Sequence, residues 1–94
     1  MIEHNVYFDG KVQSLGFQCD SGEATVGVCE PGTYTVPTDE EEHLTFLSGT
    51  GRVKLPDQDW RAIKAGDVVI AAAGVEVTWE IAPGANACYF CVFR

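Results

Sequence analysis

Two stretches decide the fold: Glu42-His43-Leu44-Thr45-Phe46-Leu47-Ser48-Gly49 and, further on, Ala65-Gly66-Asp67-Val68-Val69-Ile70 followed by Ala73-Gly74. Each combines a run rich in Leu, Phe, Val and Thr with a glycine turn, a pattern typical of a β-strand next to a tight turn. In the first stretch, strand alternation puts Glu42 on the same face as two apolar residues, Leu44 and Phe46. The sequence therefore predicts a carboxylate on the interior side of a strand.

The same alternation of turns and strands continues along the chain. Turn dipeptides such as Asp9-Gly10, Pro31-Gly32 and Pro83-Gly84 recur at short intervals, and no window keeps a helical apolar period. We predict strands near Val12–Phe17, Ala24–Cys29, Thr33–Val36, Glu42–Leu47, Arg52–Leu55, Trp60–Ile63, Val68–Ala71, Val75–Ile81 and Ala87–Phe93. Many short strands without helices indicate a sandwich or barrel, so an all-β single domain over residues 1–94 is expected.

Length and charge limit the classes of function. The 94 residues suffice for one modest core, and the formal net charge is −8. This charge argues against non-specific nucleic-acid binding and repels an anionic substrate at long range. The segment Met1–Asn5 shows no signal-peptide pattern, and no apolar run approaches the ~20 residues of a membrane helix. We expect a cytoplasmic protein without nucleic-acid polymers or membranes among its partners.

The cysteines raise the question of a metal site. Cys88 and Cys91 have a zinc-knuckle spacing, but their surroundings predict a strand, on which residues three apart point to opposite faces. Cys19 and Cys29 are ten positions apart and provide no second close pair. We therefore interpret all four cysteines as free structural thiols in a reducing compartment.

The opening stretches also carry a family resemblance. Glu42 stands seven residues before Gly49, and Gly66-Asp67 leads on to Gly74, at the spacing of the two cupin signature segments. Cupins are small jelly-roll β-barrels, so the resemblance implies that all-β architecture. It also implies a pocket at the barrel mouth, where Glu42 is expected to point.

Most cupins hold a metal with histidines, which this chain lacks at the matching positions. Those positions fall around Val36 and Thr38 and on Val77. Transition-metal sites need several converging imidazole or carboxylate groups. The neighbouring His43 does not repair the loss, because it faces away from Glu42 on the strand. We expect no metal and no cofactor, which disfavours a metal-dependent oxygenase or isomerase.

Nearly the whole chain resembles one particular group of cupins. The run Asn5-Val6-Tyr7-Phe8-Asp9-Gly10-Lys11-Val12-Gln13-Ser14-Leu15-Gly16-Phe17 is similar to the N-terminal signature of the small pyrimidine/purine nucleoside phosphorylases, as are Pro31-Gly32-Thr33-Tyr34-Thr35 and Cys88-Tyr89-Phe90-Cys91. The resemblance implies that purine and pyrimidine nucleosides are cleaved with phosphate, the co-substrate, to ribose 1-phosphate and free base. Small cupins often pair, so a homodimer is expected.

Glu42 is the candidate catalytic residue under this hypothesis. Breaking an N-glycosidic bond builds positive charge on the ribose ring, and a carboxylate at the barrel mouth can stabilise that cation. Phosphate contacts are expected from Lys11, a cation within the family signature, helped by Ser14. Base stacking or hydrogen bonding is expected from the tyrosines Tyr34 and Tyr89.

Thr38 completes the candidate substrate-binding residues, since it shares a face with Tyr34. Each candidate has a structural alternative. Glu42 can be a buried acid satisfied by backbone donors, Lys11 a strand-edge residue that discourages aggregation, and the tyrosines core residues. A non-catalytic barrel that binds a small ligand or a protein partner is accordingly the competing hypothesis.

Overall fold

The computed structural model describes residues 1–94 and contains ten strands and one turn of 3₁₀ helix, so the all-β prediction is confirmed. The strands are β1 Glu3–Tyr7, β2 Val12–Cys19, β3 Gly22–Cys29, β4 Gly32–Pro37, β5 Glu42–Ser48, β6 Thr50–Lys54, β7 Arg61–Lys64, β8 Val68–Ala71, β9 Glu76–Ile81 and β10 Ala87–Phe93. No helix has the length and apolarity needed to cross a lipid bilayer.

The first strand, β1, is absent from the sequence-based prediction. It pairs antiparallel with β2, from Glu3 opposite Gly16 to Tyr7 opposite Val12. The Phe8–Gly10 turn reverses the chain between them, with positive φ at all three of its residues. Because β1 forms through edge pairing and contributes no residue to the buried core, its sequence carries little apolar alternation to reveal it.

The strands form two sheets that face each other. The larger sheet has the order β1-β2-β3-β10-β5-β8, and the smaller sheet has the order β4-β9-β6-β7. Val53, Val69 and Val77 are the largest fully buried side chains, and they come from β6, β8 and β9. The core therefore lies between the sheets. On β9, Val77 and Ile81 are buried whereas Glu76 is exposed, so the apolar residues of this strand face the core.

The smaller sheet depends on one close backbone approach. Gly51 on β6 lies opposite Ile81 on β9, and a Cβ atom at Gly51 would overlap the carbonyl oxygen of Glu80. Only glycine fits that position without moving a strand. The close approach keeps β6 paired with β9 within the smaller sheet.

Candidate functional site

An inner cavity of about 660 Å³ lies between the two sheets. Its walls are formed by inward residues of β2, β3, β5 and β10 from the larger sheet and of β4 and β9 from the smaller sheet. Thirteen of its 21 lining residues are hydrophobic. A mostly apolar cavity of this size with a few polar groups is typical of a small-molecule site.

Glu42 begins β5 and lines the inner cavity, as the strand parity predicts. It lies opposite Phe93 on β10 and Ala71 on β8, and its side chain forms no ion pair. The Cys91 thiol donates a long hydrogen bond to Oε1 at 3.9 Å. Burial raises the pKa of the Glu42 carboxyl above its ordinary value, and the Cys91 thiol opposes that shift only in part. Because no Lys, Arg or His forms an ion pair with the Glu42 carboxyl, no neighbouring cation offsets the cost of burying its charge.

Ser14 and Tyr89 meet on the inner wall of the larger sheet. Ser14 is 5% exposed and accepts a hydrogen bond from Asn5 Nδ2 at 3.3 Å. Burial raises the pKa of the Tyr89 hydroxyl far above its ordinary value, and the Ser14 side chain opposes that shift only in part. A Cβ atom at Gly27 would overlap the Tyr89 ring, so this glycine makes room for the ring against β3. The two hydroxyls are neutral donors at any physiological pH.

Tyr34 lines the opposite wall of the inner cavity, on β4. Its hydroxyl donates to the Glu30 carbonyl oxygen at 2.7 Å, and its ring lies 5.0 Å from that of Phe8, tilted by 55°. Because the hydroxyl already donates to the Glu30 carbonyl, Tyr34 can contact a ligand mainly through its ring. An aromatic surface of this kind suits a flat heterocycle.

Lys11 does not line the inner cavity. It follows the 3₁₀ turn, is exposed, and lines a separate outer depression of about 360 Å³ together with His4, Gln13 and Asn86. Ser14 lines this depression as well as the inner cavity, whereas Glu42, Tyr34 and Tyr89 line the inner cavity only. The structure therefore separates this cation from Glu42 and the two tyrosines.

Thr38 also lies outside the lining of the inner cavity, and it is 2% exposed. Its hydroxyl donates to the Ala72 carbonyl oxygen at 2.7 Å and accepts a hydrogen bond from Val75 N–H at 3.0 Å. Its backbone N–H donates to the Val75 carbonyl oxygen, and its carbonyl accepts from Gly74 N–H. Thr38 thus ties the end of β4 to the turn between β8 and β9.

The charge of the inner cavity is one-sided. Four carboxylates line it, and none of its 21 lining residues is Lys, Arg or His; the acids are Glu23, Asp39, Glu40 and Glu42. Sequence reasoning did not single out Glu23, although strand alternation puts it on the same face of β3 as buried Cys29. The cavity is therefore suited to a neutral or cationic group, and a phosphate bound there has only neutral donors.

The four cysteines lie apart from one another as free thiols. All four are free, and no three His, Cys, Asp or Glu side chains converge as metal ligands do. Cys91 is buried in the core, whereas Cys88 lies on the other side of β10 and is half-buried. Burial raises the pKa of Cys29 to about 11 and that of Cys91 to about 12, so both remain protonated thiols.

Known structures share this architecture. A crystal structure of an RmlC-like cupin from Shewanella frigidimarina superposes with a TM-score of 0.75 at 14% identity, covering 99% of this chain and 83% of that one. A protein of unknown function from Vibrio parahaemolyticus superposes with a TM-score of 0.89 at 30% identity, covering 97% and 96% of the two chains. The expected cupin fold is confirmed.

Sequence relatives define the family more narrowly. A protein of Magnetococcus marinus named pyrimidine/purine nucleoside phosphorylase is 43% identical over 96 residues, covering 99% of both chains. The family model described as pyrimidine/purine nucleoside phosphorylase matches residues 2–93. The match thus includes the cavity strands and Glu42. This chain belongs to the pyrimidine/purine nucleoside phosphorylase family.

Proposed function

We propose that this protein is a metal-independent nucleoside phosphorylase that accepts both purine and pyrimidine nucleosides. The observation that carries the proposal is the placement of Glu42, a half-buried carboxyl without a cation partner, inside an apolar cavity with Tyr34 and Tyr89. Family membership supports the reaction type.

The proposed reaction takes place in the inner cavity. An oxygen of hydrogen phosphate attacks C1′ of the ribose and the C1′–N bond breaks. The base leaves with the bonding electron pair and takes up the proton that the hydrogen phosphate gives up. The ionised Glu42 stabilises the cationic character of the ribose in that transition state. The hydroxyls of Ser14 and Tyr89 are the neutral donors available to phosphate or to the ribose hydroxyls.

Broad base specificity has a structural basis in the same cavity. The rings of Tyr34 and Trp79 offer apolar surface to the base, and such contacts carry no hydrogen-bond pattern that would distinguish one base from another. Discrimination would require buried polar groups aimed at the base edge. We therefore expect uridine and adenosine to be cleaved by one site.

The remaining parts of the proposal concern partners and location. We propose a homodimer with nucleosides and phosphate as its small-molecule partners. We also propose the cytoplasm as its compartment, supported by four cysteines that are all free.

A phosphate-dependence assay tests the function. Purified protein is incubated with uridine or adenosine, with and without inorganic phosphate, and free base and ribose 1-phosphate are quantified. We expect both products only when phosphate is present. A Glu42→Gln variant purified identically is the matched control against contaminating host phosphorylases. Absence of base release by well-folded wild-type protein would overturn the proposal.

A non-catalytic ligand-binding barrel is the second candidate function. The observation that favours it is the acidic, cation-free lining of the inner cavity, which suits a neutral nucleoside better than phosphate. In that case calorimetry would detect nucleoside binding while the assay detects no products. Products formed in proportion to phosphate would exclude this alternative.

A further inference from the structure

The turn between β1 and β2 has an unusual backbone at its first residue. Phe8 has a φ of 51°, in the left-handed region, and is followed by Asp9 at 57° and Gly10 at 89°. Glycine adopts positive φ freely and aspartate tolerates it, but a bulky aromatic residue there is a genuine outlier. The backbone of Phe8 is therefore strained, and strain of this kind persists where a structure has a use for it, most often at functional sites.

The fold itself does not account for this strain. Phe8 is 41% exposed and is not part of the buried core. Its carbonyl oxygen accepts a hydrogen bond from Lys11 N–H at 3.1 Å, which a residue of any type could do. A turn with three positive φ values is less strained when glycine or asparagine occupies its first position. The aromatic side chain, and not the backbone, therefore needs an explanation.

The Phe8 side chain lines the inner cavity. Its ring lies 5.0 Å from the Tyr34 ring, tilted by 55°, so the two rings are in direct contact and leave no space for a base between them. Trp79 pairs with Tyr34 across β4 and β9 and lines the same cavity. Phe8 therefore extends an aromatic wall that begins with Trp79 and Tyr34.

Phe8 and Glu42 lie at opposite ends of the inner cavity. Through the pairing of β1, β2, β3 and β10, Phe8 lies at the end of the larger sheet where Ala87 begins β10. Glu42 pairs with Phe93, the last residue of β10. The length of β10, about 20 Å of strand, separates the two ends. Because both side chains line the cavity, a ligand held at Glu42 extends toward Phe8.

Base size determines how far a nucleoside reaches along this wall. With the ribose beside the Glu42 carboxylate, the base lies along the aromatic wall in the direction of Phe8. Tyr34 and Trp79 can contact the single ring of a pyrimidine or the first ring of a purine. The second, fused ring of a purine extends further from the ribose, and a stacking contact strengthens as more ring surface overlaps.

We propose that Phe8 is a specificity-determining residue, which favours purine over pyrimidine nucleosides by contacting the second ring of the purine. The inference rests on the proposed function, because it takes the ribose to lie at Glu42. The left-handed backbone of Phe8 aims its ring into the cavity instead of into solvent. Both classes of nucleoside remain substrates, since Tyr34 and Trp79 contact either base.

Substitution of Phe8 tests its effect on base choice. Phe8→Gly removes the ring and the backbone strain together. We expect the KM for adenosine to rise roughly fivefold or more, the loss typical of one base–aromatic contact, and the KM for uridine to change by less than about twofold. Both are measured by initial rates of base release. Phe8→Tyr keeps the aromatic ring and should retain the wild-type KM for adenosine.

Asp9→Gly is the matched control for strain. Asp9 has positive φ in the same turn but lines neither the inner cavity nor the outer depression, so relaxing it should leave both KM values unchanged. Denaturant unfolding reports on the fold of each variant. Phe8→Gly should unfold at no lower denaturant concentration than the wild type, because relief of strain offsets the lost contact with Tyr34. Equal increases of both KM values, or an unchanged KM for adenosine, would overturn the proposal.

Calorimetry without phosphate separates this inference from the catalytic function. The dissociation constants of adenosine and uridine do not depend on turnover. If the wild type releases no base but Phe8→Gly selectively weakens adenosine binding, the role of Phe8 is supported and the phosphorylase function fails. If base is released and the adenosine dissociation constant is the same in wild type and Phe8→Gly, only the inference fails. Binding of neither nucleoside to folded wild-type protein refutes both.

Discussion

At the scale of single residues, the buried charge of Glu42 affects the stability of the fold. Its raised pKa means that the folded protein holds the proton more tightly than the unfolded chain does. Folding stability therefore falls as pH rises from the unfolded value, about 4.3, through the higher folded value. Above that range the ionised carboxylate lowers the stability of the fold, so a catalytic role and a structural role of Glu42 predict different effects of removing its charge.

Glu42→Gln is therefore expected to lower phosphorolysis by roughly 100-fold or more. The free energy of unfolding at pH 7 should be equal to or higher than that of the wild type, because the amide removes a buried charge and still accepts the Cys91 hydrogen bond. Denaturant unfolding measured from pH 4 to pH 7 should show the advantage of the variant disappearing at the acidic end. Parallel losses of activity and stability would identify Glu42 as a structural acid.

Gly27 shows how an absent side chain shapes the cavity. In Gly27→Ala the new methyl group overlaps the outer end of the Tyr89 ring, which can yield by turning into the inner cavity. We expect a greater loss of activity than of stability, seen as a raised KM for nucleoside with a small change in unfolding free energy. Gly51→Ala is the contrasting variant, because its methyl group meets backbone at Glu80 and should destabilise the fold strongly. Similar stability losses in both variants would contradict this account.

At the scale of elements, Thr38 connects β4 to the turn between β8 and β9. Thr38→Val keeps the shape of the side chain but removes the acceptor of Val75 N–H and the donor to the Ala72 carbonyl. We expect a loss of about 1–3 kcal/mol in unfolding free energy, measured by denaturant titration, with the activity of folded molecules unchanged. Thr33→Val, at an exposed position on β4, is the control and should have little effect. Unchanged stability together with lost activity would instead indicate that Thr38 binds substrate.

The strands that the sequence predicts well are those with one buried face. Alternation identifies β5, β9 and β10 because a slip of one residue would bury Glu76 or Glu80 and expose Val77. The edge strand β1 gives no such signal, since it is defined by pairing and by the positive-φ turn at Phe8–Gly10. Alternation also places Glu42 in the cavity, but which residues line a space between two sheets depends on tertiary packing.

At the scale of the whole molecule, the sequence reveals an excess of negative charge but not where the few cations lie. The inner cavity is negatively charged like the whole chain. Its lining contains no cation and includes four acids: Glu23, Asp39, Glu40 and Glu42. Lys11 opens onto a different surface, and Arg52 is paired with Glu80 on the outside of the smaller sheet. Under the proposed function, the negative charge of the protein therefore repels phosphate as it approaches. The neutral nucleoside is not repelled.

This difference predicts that the KM for phosphate depends on salt and that the KM for the nucleoside does not. Raising the ionic strength from about 0.01 M to about 0.15 M shortens the screening length from about 30 Å to about 8 Å. The longer value spans most of a molecule measuring 34 × 28 × 25 Å, and the shorter one does not. We expect the KM for phosphate to fall as sodium chloride is added and the KM for neutral uridine to stay constant, both measured by initial rates of base release. A KM for phosphate that rises with salt would instead indicate attraction by a cation, and Lys11→Met would then show whether that cation is Lys11.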